Sequence, residues 1–280
     1  MQKFIEIEET KIFLTHPDKL ELEWIGQEDV MIQLLASWFT DEEEPFPLNP
    51  RLIGKPGVGK TTLAYAAAQK LNQEVYIFQA TMDTRPEDIL ITPVIGSDGN
   101  IKYVASSLVT AMIEGGICIL DEGNRMSEKS WASLAPLLDN RRYVESIIAG
   151  VKIPAHKDFR FVTTMNEDSS TYEIPEYIHS RLQPQIFIDF PDSEDELRIL
   201  QSNLTTVPEK VAKYIVSFLQ IAHRFEENFS VRDGINVGRY AMKLMKKVPS
   251  FKQKEKEATQ EAITLILGKE ALNYCEELEF

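Results

Sequence analysis

The stretch "GKPGVGKT", residues 54–61, decides how the rest of the chain is read. Its spacing matches G-x-x-x-x-G-K-[ST], and it sits between an apolar run, "RLI" at 51–53, and a segment with helical periodicity, in which Leu63, Ala67 and Leu71 share one stripe. Glycines at Gly54, Gly57 and Gly59 let backbone N–H groups curl around phosphate oxygens. Lys60 then reaches the β and γ phosphates, Thr61 offers a hydroxyl to magnesium, and the helix N-terminus adds a positive field. Pro56, Val58 and Thr62 complete the expected nucleotide-binding loop.

A loop of this kind requires a second metal-directed carboxylate at the end of a neighbouring strand. "GGICILDEGNRM", residues 115–126, supplies one. Its four apolar residues read as a buried strand of a parallel sheet, delivering the chain into Asp121 and Glu122 where open α/β sheets place ligands. Asp121 is expected to hold the metal with Thr61, and Glu122 to orient and deprotonate the attacking water. Cys118, inside the run, reads as a small core residue.

Further apolar runs at 75–78, 159–164 and 185–190 alternate with helix-like segments, the signature of a five-stranded parallel sheet with helices on its faces. "SDGN" at 97–100 predicts the turn of an inserted hairpin over 91–108, and a second hairpin is expected over 141–159. After "DFPDSEDE" the pattern is helical only. Ser193 and Glu196 form a capping-box pattern, and Val211, Ile215, Phe218, Ala222 and Phe225 step at helical spacing. The domains are therefore an α/β domain over 1–190 and an all-α lid over 191–280.

Composition bounds the class. The chain has 280 residues, 43% of them hydrophobic, with 44 acidic and 30 basic side chains for a net charge of −14, so its overall field repels phosphate backbones and anionic membranes. Two distant cysteines, Cys118 and Cys275, fit a reducing, cytoplasmic setting. The opening residues carry no basic head with an apolar run, and no stretch of apolar residues is long enough to span a bilayer, so neither secretion nor membrane insertion is expected. None of the four histidines has ligand spacing, and the lysines of 243–256 read as a solvated helix face.

With these motifs in place, the chain resembles the AAA+ ATPases, and among them the MoxR-type branch that includes the dynein and midasin modules. The resemblance covers nearly the whole chain. "WIGQEDVMIQLLASWF", residues 24–39, is similar to the segment that helps hold adenine, which implies nucleotide contacts for Ile25 and Gly26. "FRFVTTMNED" places Asn166 where the family has its sensor-1 amide, and "EIPEYIHSRLQPQ" places Arg181 where it has the arginine finger that reaches a neighbouring subunit's nucleotide. "FSVRDGINVGRYAMKLM" resembles the sensor-2 helix, with Ser230 as its cap and Arg232 in its first turn. Arg239 is the alternative, and Arg125, Arg141 and Arg142 remain further candidates for a role between subunits.

The resemblance implies ATP and Mg²⁺ as cofactors, a homo-oligomeric and hexameric ring, and a protein client that is remodelled or activated, often together with a von Willebrand factor A domain protein. "LLDNRRY" to "AHKDFRFV" is similar to the CbbQ and NorQ relatives. Two other functions stay open: a nucleic-acid-directed motor or McrB-type restriction NTPase using ATP or GTP, disfavoured by the net charge, and a nucleotide-gated scaffold with little hydrolysis, disfavoured by the intact Lys60, Thr61, Asp121, Glu122 and Asn166 set.

Overall fold

In the computed structural model, residues 3–21, 23–96, 99–167, 173–276, 278 and 280 are described. They divide into a unit of residues 1–24, 28–54 and 60–188 and a second of 25–27, 55–59 and 189–280.

The first unit opens with a hairpin, Phe4–Ile7 (β1) and Thr10–Phe13 (β2), then the helix Glu28–Trp38 (α1). Arg51–Gly54 (β3) leads into Lys60–Lys70 (α2), where Leu63 and Ala67 are fully buried; Leu71 lies past the helix end and is 38% exposed, so the expected stripe stops one step short. Val75–Gln79 (β4) and the short helix Pro86–Ile89 (α3) precede the first inserted hairpin, Ile91–Ile95 (β5) and Ile101–Ala105 (β6). It is antiparallel as expected, with Ile95 opposite Ile101; Ser97 and Asp98 of its turn lie outside the described residues.

Ser107–Glu114 (α4) starts on Ser106, whose hydroxyl accepts the Val109 N–H, and ends at Gly115 in the left-handed region, φ 75°. A Cβ at Gly115 would fall 2.4 Å from His156 Nδ1, so the first glycine of "GGICILDE" both caps a helix and admits a close neighbour. Ile117–Asp121 (β7) follows, with Ile117, Cys118, Ile119 and Leu120 all inaccessible to solvent, as a strand covered on both faces must be. Glu128–Leu134 (α5), the second hairpin Tyr143–Ser146 (β8) and Val151–Pro154 (β9), Arg160–Asn166 (β10), Glu176–His179 (α6) and Gln185–Phe187 (β11) complete the unit.

The core sheet runs β11-β3-β10-β7-β4 with every pair parallel. Its register aligns the carboxyl ends: Asn166 lies opposite Gly54, and Asp121 opposite Gln79. A second sheet was not foreseen from sequence. The opening hairpin joins the inserted one through parallel pairing of β2 with β6, giving the order β1-β2-β6-β5.

The second unit is helical: Ser193–Asn203 (α7), Glu209–Arg224 (α8), Val231–Lys247 (α9) and Glu255–Leu267 (α10). Leu200, Ile215, Phe218, Val237 and Ile263 form its core. Two expectations are corrected here. Asp192, not Ser193, caps α7, accepting the N–H groups of Glu194 and Asp195, because a carboxylate one residue earlier reaches both orphan donors. Glu196 is thereby released from capping and is wholly buried. Phe225 is 67% exposed, since α8 ends at Arg224 and the helical stripe does not continue past it.

No helix among the described residues is long and apolar enough to cross a membrane.

Candidate functional site

Strand β3 delivers Gly54 to the carboxyl edge of the sheet, and α2 begins at Lys60. Gly57 and Gly59 have φ of 82° and 98°, a conformation that costs glycine nothing and any other residue about 1 kcal/mol or more. Lys60 is 7% exposed and its ammonium donates to the Gly54 carbonyl at 2.8 Å, so the charge is held at the mouth of the loop.

One helical turn and one strand meet at Asp121. Its Oδ1 accepts the Thr61 hydroxyl at 2.7 Å and the Thr164 hydroxyl at 2.6 Å. Thr164 Oγ1 in turn accepts the Glu122 backbone N–H at 2.9 Å, so one hydroxyl ties both carboxylate residues to β10. A threonine hydroxyl beside a carboxylate oxygen is a hard-oxygen donor pair. Magnesium, which keeps most of its waters and takes phosphate oxygens, needs only one or two such protein ligands.

Glu122 sits in the left-handed region, φ 56°, a strain of about 1–2 kcal/mol offset by what its side chain and N–H engage. Asn166 Nδ2 donates to Oε1 at 3.0 Å, Arg125 Nε pairs with Oε2 at 2.6 Å, and Gln79 Nε2 donates to Oε2 at 3.3 Å. Asn124 Nδ2 bonds the Asn166 carbonyl at 2.9 Å and steadies that strand end. Thr61, Asp121, Glu122 and Asn166 are therefore brought together as a half-buried network. Thr164 and Gln79 were missed from sequence; the available signal was position, since Thr164 shares a strand face with Asn166 and Gln79 ends its strand opposite Asp121.

The four arginines expected to act between subunits, Arg125, Arg141, Arg142 and Arg181, fall into different environments. Arg125 is engaged with Glu122. Arg142 donates Nη2 to the Phe159 carbonyl at 3.0 Å, and burial pulls its pKa down. Arg141 and Arg181 both contact Asp139, and hydrogen bonding from Arg141 above all holds that carboxyl at about 2.

Within the second unit, residues 25–27 sit on the start of α7. A Cβ at Gly26 would meet Asp195 Oδ2 at 1.8 Å, and the N–H of Gln27 donates to the same oxygen at 3.3 Å. Ile25 is half-buried in this segment. Pro56 is exposed and Val58 buried in the loop 55–59. Ser230 caps α9 in a reciprocal box with Asp233. The Ser230 hydroxyl lies 2.4 Å from where a Cβ of Gly57 would be, and the Arg232 Cβ lies 3.7 Å from it. Arg239 is exposed on the same helix.

Residues 51–182 match the AAA domain, dynein-related subfamily. That is 132 of the 280 residues, just under half of the chain. Its match is narrower than the motif resemblance, leaving the segment around Ile25 and the helical unit outside it. NirQ of Pseudomonas aeruginosa, a denitrification regulatory protein, is 29% identical over 184 residues, 63% of this chain and 68% of NirQ. Midasin of Giardia intestinalis is 28% identical over 190 residues, 65% of this chain but 4% of midasin's length. Among solved structures, RuvB of Thermotoga maritima aligns with a TM-score of 0.59 at 14% identity, covering 86% of this chain and 70% of RuvB. NtrX of Brucella abortus, in complex with ADP, aligns at 0.56 and 13%, covering 91% and 66%. Both show that the AAA fold is shared.

Proposed function

We propose that this AAA domain protein hydrolyses Mg-ATP as a MoxR-type ring, and uses the cycle to remodel or activate a partner protein. The observation that supports the reading is the hydrogen-bonded network Thr61–Asp121–Thr164–Glu122–Asn166, in which a hydroxyl–carboxylate pair of the kind magnesium takes adjoins a second carboxylate.

In this reading the loop residues Gly54, Pro56, Gly57, Val58, Gly59, Lys60, Thr61 and Thr62 bind the phosphates, and Ile25 and Gly26 border the base. Thr61 and Asp121 hold magnesium, which when bound neutralises charge on the phosphoryl oxygens. Glu122 takes the proton of the attacking water, and Asn166 fixes the carboxylate while sensing the terminal phosphate. Arg181 serves the nucleotide of the next subunit, and Arg232 serves as sensor-2, favoured over Arg239 by its place beside Gly57. Residues 191–280 act as the lid. The ring is a homo-hexamer working in the cytoplasm on a protein client, with a von Willebrand factor A domain protein as a partner.

The test is ATP turnover per subunit across a wide range of protein concentration, alongside Arg181→Ala. Turnover that rises cooperatively and collapses in the variant, with nucleotide binding retained, supports a shared-site ring. Flat turnover with an unaffected variant removes the trans role of Arg181. A Glu122→Gln protein held in the ATP state is the bait for the client, and DNA binding that weakens steeply with salt would instead favour the nucleic-acid motor.

A further inference from the structure

Arg51 opens β3 at the amino end of the strand, the end away from Gly54 and the phosphate loop. The residue is 1% exposed, and an arginine is almost never enclosed to that degree unless it is paired. Its Nη1 donates to His179 Nδ1 at 2.7 Å. Nε and Nη2 are buried, and neither has a hydrogen-bond partner among the described residues. Burial alone pulls the Arg51 pKa down, with no acid acting against it.

The strands on either side supply no counter-ion. Arg51 is in register with Thr163 of β10 and Gln185 of β11, and neither carries a carboxylate. The Thr163 hydroxyl donates to the Leu120 carbonyl at 2.9 Å. Asp139 follows Leu138, whose carbonyl accepts Asn49 Nδ2 at 3.1 Å just before β3, but that carboxylate is taken by Arg141 and Arg181. A guanidinium can only donate, so His179 must offer Nδ1 as an acceptor and its ring is neutral. Burial and the Arg51 charge lower the His179 pKa, with Glu176 opposing them, which favours that form. His179 thus occupies Nη1 and fixes the plane of the guanidinium.

The two donors left over, Nε and Nη2, are the side-on edge of the guanidinium, whose parallel N–H bonds match the two oxygens of a carboxylate. We propose that Arg51 is a binding site for a small planar oxyanion of the carboxylate or nitrate class, seated on this edge, with His179 as the positioning residue. Two buried donors at fixed spacing favour a planar anion with two oxygens over a spherical one such as chloride. The enclosure of Arg51 favours a small free anion over a carboxylate carried on another protein chain. Bound there, the anion neutralises a buried charge at the start of β3, so occupancy is read as stability as well as binding. None of this depends on the nucleotide chemistry at the other end of the strand.

The arginine Nε–H signals of the full, nitrogen-labelled chain test this by NMR, in a low-salt buffer titrated separately with sodium formate, sodium nitrate and sodium chloride. The signal missing from Arg51→Met belongs to Arg51. It is expected to move saturably with formate and nitrate and not with chloride at the same concentration. Over the same range formate should raise the melting temperature of the parent above its value in chloride, and leave Arg51→Met unchanged. In chloride alone Arg51→Met is expected to melt at or above the parent, because an apolar stem replaces a buried charge. Arg51→Lys keeps the charge and loses the fork; it should not respond to formate, and it assigns the signal if Arg51→Met does not fold. His179→Ala should weaken formate several-fold and His179→Gln, which keeps an acceptor, should recover part of it; unchanged affinity in His179→Ala overturns its positioning role. A shift with formate but not with a glutamate blocked at both backbone ends supports a free anion, and a shift with both overturns that restriction while keeping the fork. An Arg51 signal unmoved by formate and nitrate, or moved as far by chloride, overturns the proposal.

Discussion

The carboxyl edge of the five-stranded sheet and the interior of the helical unit handle carboxylates in opposite ways. At the sheet edge, Asp121 and Glu122 are half-buried and met on all sides by donors: two threonine hydroxyls, an asparagine and a glutamine amide, and an arginine. In the helical unit, Glu196 is fully buried, with Gln220 Nε2 donating to Oε2 at 2.9 Å and no bond to Oε1. Burial pushes its pKa up to about 7, the Gln220 bond opposing the shift. The comparison teaches that parallel strand ends can array donors around a carboxylate side chain without dehydrating it fully. A helical core offers few free donors, since its backbone groups are already used.

The largest way to break this comparison is at Glu122. Glu122→Gln should lower ATP turnover by about 10²–10⁴-fold while nucleotide affinity persists, measured by steady-state kinetics beside equilibrium binding. Unchanged turnover would make the donor array a structural device only. The helical unit should respond in stability instead. Phe218 is fully buried, and Phe218→Ala should cost about 3–5 kcal/mol in denaturant unfolding.

A smaller effect sharpens the picture of the sheet edge. Thr164→Val removes the hydroxyl that bonds both Asp121 and the Glu122 N–H, and turnover should fall about 10- to 100-fold. Thr164→Ser should restore most of it, which loss of packing alone would not allow.

The smallest expected effect tests Glu196. Its folded pKa, about 7, lies above the unfolded value of 4.5, so the folded state binds the extra proton. Stability is fully present below about pH 4.5 and is lost as pH rises through 7. Glu196→Gln should flatten the melting temperature over this window and stabilise the protein at pH 8 by about 1–3 kcal/mol. A parent protein whose melting temperature does not fall between pH 5 and 8 would contradict a protonated Glu196.

Several elements were legible because their signals are local. The phosphate loop, the buried strand ending in Asp121 and Glu122, the two inserted hairpins and the cap at Ser230 each depend on residues close together in the chain. The opening hairpin β1–β2 was not legible. Its turn residues Glu8 and Glu9 both have positive φ, 47° and 69°, and glutamates carry no compositional turn signal. The pattern of Ser193 with Glu196 misled because Asp192 competes for the same N–H groups, an outcome set by which side chain reaches first.

By itself the sequence determined the parallel α/β class, the phosphate loop and the residue types at its strand ends, because hydrophobic period and motif spacing act over a few residues. Only the tertiary structure decided that Thr164 bridges Asp121 and Glu122, that Arg125 belongs to Glu122 while Arg141 and Arg181 share Asp139, and that Glu196 is buried. These depend on strand register and on segments about forty residues apart meeting within hydrogen-bonding distance, which no local pattern encodes.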